Sequence, residues 1–101
     1  MSIRDTVKTA KRIKHDNLND EIDRLIQTAR DEMIRVGIDD TKANSSDDSL
    51  ITQAIVTFCL KEMAGTEENS DRYGLSWSIQ IDNLRKSEDY RCTITSSNSE
   101  P

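Results

Sequence analysis

The sequence is poor in the residues that most chemistry needs. Its three glycines stand singly, at positions 37, 65 and 74. No Gly-rich loop is available to cradle a phosphate. The one histidine, His15, has no nucleophile partner in a known catalytic pattern. The two cysteines, Cys59 and Cys92, have no second ligand at a metal-like spacing. No zinc site is expected, and two such thiols fit a reducing cytoplasm better than a disulfide framework. The carboxylates cluster at helix starts and in loops, where capping and solvation account for them. No catalytic residue, cofactor or metal is expected, and the chain is not read as an enzyme.

Long hydrophobic runs are missing too. Apolar residues make up 34% of the chain and charged ones 33%. Met1 is followed by Ser-Ile-Arg-Asp, not by a basic run and an apolar segment, so no secretion signal is expected. The most apolar stretch, Leu50 to Ala64, is too short at about 15 residues to span a bilayer, and no membrane partner is expected. With 101 residues there is room for one domain. Cys92 to Pro101 is mostly Ser, Thr, Asn and Glu and reads as a flexible tail behind a helical domain of residues 1–91.

What is present is organised around Leu50 to Ala64. Wound as a helix, it places Leu50, Ala54, Phe58 and Leu60 on one half and Ile55, Val56, Cys59 and Met63 on the other. A helix that is apolar all round is normally buried. Either the remaining helices wrap it, or part of it is covered by another subunit. Asp47, Asp48 or Ser49 can cap it, and it ends near Ala64-Gly65.

Before it, Leu18, Ile22, Leu25, Ile26, Ala29, Met33 and Val36 form one helical stripe that Gly37 terminates. Asn17, Asn19 or Asp20 is a candidate cap for that helix. Ile34 lies off the stripe and is a candidate for contact with another chain. Ile38 to Ser49 reads as a polar loop and Thr66 to Ser70 as an acidic one. In Asp71 to Arg91, Leu75, Trp77, Ile79 and Ile81 alternate as a strand would, yet Tyr73, Trp77, Ile81 and Leu84 are spaced as a helix. A lone strand has nothing to pair with, so a helix is expected. Tyr73 and Trp77 then face the core, while Leu75 and Ile79 face away and are candidate intersubunit or partner contacts. The fold class is all-α: a small bundle of three to four helices with a disordered C-terminal tail.

The net charge of −5 is unevenly spread. Residues 1–15 carry five bases against Asp5 alone, a net of +4, whereas residues 16–48 carry ten acids and four bases. Ile3 to about Ile13 has helical spacing, with Ile3, Val7 and Ala10 on one side and Arg4, Lys8, Lys11 and Arg12 on an adjacent one. That basic edge is either a solvated face or a contact for DNA or an acidic protein.

Two segments carry a resemblance. The first is Val7-Lys8, Arg12-Ile13, His15-Asp16, Glu21-Ile22, Leu25-Ile26 and Ala29. The second is Arg72-Tyr73, Ser76-Trp77, Leu84 and Ser87-Glu88-Asp89-Tyr90-Arg91. In order, spacing and size the chain resembles the phage head–tail connector proteins of the portal-adaptor type, found in tailed double-stranded DNA phages. The resemblance implies a helical bundle whose subunits form a ring of about a dozen beneath the portal protein, closed head to tail. Such a ring extends the DNA channel and docks a tail-side connector or stopper protein. It also implies a place at the virion head–tail junction, and in the host cytoplasm before assembly. The acidic Asp39 to Asp48 loop and Gly74 depart from the family pattern, so loop roles are not carried over.

The alternative is a small helical DNA-binding regulator. Its recognition helix would need an exposed polar and basic row, which the last helix lacks. No sequence-specific DNA binding is expected.

Overall fold

The computed structural model describes residues 3–45 and 47–90, so the tail expected at 92–101 lies outside the described residues. Five helices follow in order: α1 (Ile3–Lys11), α2 (Asn19–Arg35), α3 (Asp40–Ala43), α4 (Ser49–Glu62) and α5 (Glu67–Lys86). No strand occurs among the described residues. The fold is an all-α bundle of four longer helices with α3 as a single added turn.

α4 is the shared centre, packing most extensively against α5 and then against α2 and α1. Ile51, Ala54, Ile55, Phe58 and Cys59 of α4 are buried. Around them pack Ile3 and Val7 of α1, Ile22, Leu25, Ala29 and Met33 of α2, and Leu84 of α5. Phe58 and Trp77 set the α4–α5 contact, their ring centroids 4.9 Å apart and tilted by 58°, a favourable aromatic arrangement. Burial, and secondarily Glu62, pushes the Cys59 thiol up to about 12. It is a packing residue, held away from the thiolate that nucleophilic chemistry needs.

The helix ends show how local chemistry sets the chain path. α2 closes in a Schellman motif: Ile38 N–H donates to Met33 O at 3.0 Å and Gly37 N–H to Ile34 O at 3.1 Å. Gly37 takes φ +106° to allow it. The motif brings Ile38 back onto Met33, and both are buried. α1 ends by the same two bonds, Ile13 N–H to Lys8 O and Arg12 N–H to Thr9 O. There the left-handed position is held by Arg12, at φ 59°.

Several expectations are corrected. The stretch 38–49 is not a plain loop. The Asp39 carboxylate accepts from Thr41 N–H and Lys42 N–H, nucleating α3 and burying Ala43. Thr66 to Ser70 is not an acidic loop but the start of α5. Thr66 accepts from Asn69 N–H, and Glu67 and Glu68 suit the positive helix end. None of Asn17, Asn19 or Asp20 caps α2, whose N-cap Leu18 makes no side-chain cap bond, because Asn19 instead accepts from Lys8. Asp48 is the cap of α4, accepting from Leu50 N–H and Ile51 N–H. Ala10 faces solvent rather than the core. Leu50, in the first turn of α4, is 52% exposed, and Val56, Leu60 and Met63 of the same apolar belt are half-buried.

Two tethers fix the connection into α4. Arg30 is buried and donates to Ala43 O at 2.7 Å and Ser45 O at 3.0 Å. Burial lowers its guanidinium from the ordinary arginine value. Tyr90 donates its hydroxyl to Asp48 Oδ2 at 2.8 Å, and its carbonyl accepts from Asp39 N–H at 2.7 Å. The chain beyond α5 is thereby pinned beside the start of α4.

Candidate functional site

α5 has two faces of opposite fate. Tyr73, Trp77, Ile81 and Leu84 turn toward the bundle, with Leu84 buried and the others half-buried. Leu75 and Ile79 point to the opposite side and are 65% and 53% exposed. Being four residues apart, they sit one above the other on a single helix face. Gly74 lies on the bundle side, where a Cβ would approach the Lys61 stem to 3.4 Å. Ile34, the other apolar candidate, is 39% exposed near the end of α2. Leu50 joins this set of exposed large apolar residues. Its apolar neighbours concealed it in the sequence, and only the docking of α4 reveals it.

Two of the four bases on the edge of α1 pair with acids of the chain. Arg4 pairs with Asp23 at 3.0 Å. Lys8 donates to Asp16 at 2.9 Å and to Asn19 at 2.9 Å. The hydrogen bond and charge of Lys8 hold the Asp16 carboxyl below its usual value. Among the described residues, no carboxylate lies within ion-pair distance of Lys11 or Arg12. Arg12 leaves the helix at its left-handed turn, so the four bases do not form one continuous row.

No group of three or more metal-ligating side chains occurs among the described residues, and no helix is long and apolar enough to cross a membrane. What the surface offers is an outer apolar face on α5, isolated apolar side chains at Ile34 and Leu50, and charges of which about half pair within the chain. Arg30, which no apolar pattern flagged, serves the fold and not a surface. No family model, curated protein or solved structure matches the chain.

Proposed function

We infer that the chain is a structural head–tail connector that assembles as a ring beneath a phage portal and offers a docking surface to the tail side. The observation that carries this reading is the exposed Leu75–Ile79 face of α5, which the bundle core does not use. Exposed apolar side chains gathered on one face, rimmed by charged residues, are a feature of protein–protein contact sites. The sequence resemblance supplies the identity of the partners: the portal protein, a tail-side connector or stopper protein, and further copies of the chain.

The basic edge supports the same choice over a DNA-binding regulator. With Arg4 and Lys8 already paired to acids of the chain, two bases remain. Two phosphate contacts give a salt slope of only about −1.8 in log affinity against log salt, so binding fades at physiological salt. A channel protein that held DNA tightly would hinder its passage.

Native mass spectrometry of the chain mixed with a purified portal ring tests the reading. A multi-subunit complex on the ring is expected. Failure to form any such complex, or a sequence-dependent DNA complex at physiological salt, removes it.

A further inference from the structure

The exposed face of α5 extends beyond its two apolar residues. At 100° per residue, Glu68, Arg72, Leu75, Ile79, Asp82 and Lys86 fall within roughly 80° of arc, spaced four, three, four, three and four apart. This is the seam spacing of a two-helix contact. The face lies opposite Trp77 and Leu84; Glu68, Arg72, Leu75, Ile79 and Lys86 are exposed and Asp82 is half-exposed.

The stripe reads as its own complement when reversed. About a point at residue 77, Leu75 corresponds to Ile79, Arg72 to Asp82 and Glu68 to Lys86. Two α5 helices laid antiparallel would place apolar against apolar at the centre. At each end an acid would meet a base. Ser76 and Ser78 flank the centre and are small enough to let the backbones approach. A parallel alignment would instead set Glu68 on Glu68, Arg72 on Arg72 and Lys86 on Lys86, and like charges in juxtaposition are costly.

Within one chain the same charges already pair along the helix. Arg72 lies 3.9 Å from Glu68, and Lys86 lies 2.8 Å from Asp82. Antiparallel pairing would join these into clusters of two acids and two bases, with Arg85, which also bonds Asp82 at 2.7 Å, at the edge of each.

We propose that this face binds a second copy of the chain, forming a two-fold antiparallel α5–α5 pair. A single helix pair of this length lies at the low end of specific interfaces, about 1,000 Å². The association is therefore weak, on the order of 10–100 µM. A two-fold contact closes at two copies, so it differs from head-to-tail ring closure; it uses the face that the connector reading assigns to docking, so it belongs to the free chain and is given up on a portal ring.

The test is sedimentation equilibrium of the full chain in reducing buffer, from about 1 to 500 µM, a range that brackets such an affinity. Wild type is expected to pass from monomer to dimer. Reversing the first half of the stripe with Glu68→Lys and Arg72→Glu keeps an oppositely charged i,i+4 pair. Across the interface, however, the introduced base then opposes Lys86 and the introduced acid opposes Asp82. The dissociation constant should then rise about tenfold or more, with α5 retained by circular dichroism although the base at position 68 disfavours its first turn slightly. Adding Asp82→Lys and Lys86→Glu restores complementarity and should restore the dimer. A wild type monomeric throughout, a species larger than two, a dimer indifferent to the first reversal, or no rescue by the fourfold variant each overturns the proposal.

Discussion

α4 and α5 are joined by residues 63–66 and pack along one another, yet they distribute their apolar side chains in opposite ways. α4 buries Ile51, Ala54, Ile55, Phe58 and Cys59 under three other helices, leaves Val56 and Leu60 half-buried, and exposes Leu50 at its first turn. α5 is the longer helix and fully buries only Leu84, while holding Leu75 and Ile79 out to water. One helix supplies the core; the other gives one side to that core and keeps a second side in water. In a chain with only 34% apolar residues, two large apolar side chains kept outside the core are surface available for association.

The largest effect should come from α4. Ile51→Ala removes buried methylenes at the crowded centre and should cost about 2–5 kcal/mol in urea unfolding. A cost below about 1 kcal/mol would break the contrast, because α4 would then be no more central than α5. Next is Arg30→Ala, which leaves the Ala43 and Ser45 carbonyls without their donor. A loss of about 1–3 kcal/mol is expected, with the faster amide exchange confined to α3 and the start of α4.

Asp48→Ala removes the α4 cap and the Tyr90 tether together and should cost about 0.5–2 kcal/mol. Partial burial raises the Asp48 carboxyl. The bonds from Ile51 N–H, the Tyr90 hydroxyl and Leu50 N–H, with the charge of Lys42, outweigh it, so the net direction is downward. A carboxyl lowered in the folded state adds stability above its unfolded value, about 4. That stability is lost as pH falls below this value toward the lower folded one. Wild type should therefore lose more stability than Asp48→Ala between neutral pH and about pH 3, seen by urea titration at each pH.

The smallest expected effect is on α5. Gly74→Ala should raise stability by about 0.5–1 kcal/mol from helix propensity. The added Cβ meets only the flexible Lys61 stem, and a thermal melt measures the gain.

The sequence was most legible where period and punctuation coincide. The stripe from Leu18 to Val36 with Gly37 behind it yields α2 and its Schellman end. The helical spacing of Tyr73, Trp77, Ile81 and Leu84 decides against a strand in α5. The exposure of Leu75, Ile79 and Ile34 follows from the same helical wheels.

What escaped depends on tertiary partners. α3 is four residues long and mostly polar, and it exists because Asp39 caps it and Ile38 is drawn inward by the end of α2. Asn19 has the chemistry of a cap, but Lys8 reaches it across the turn. Arg30 resembles any surface arginine until Ala43 O and Ser45 O lie over it. The basic edge reads as continuous because neither the Asp23 and Asp16 pairings nor the turn at Arg12 can be seen from spacing.

The central claim is that the outer face of α5 is not part of the fold's own core, and the double variant Leu75→Ser with Ile79→Ser tests it most directly. Its unfolding free energy should be measured by urea titration at about 1 µM, where a weak association contributes little. A value within about 0.5 kcal/mol of wild type is expected, as for surface substitutions. A loss of about 2 kcal/mol or more, the cost of deleting buried side chains, would contradict it and place Leu75 and Ile79 in the core.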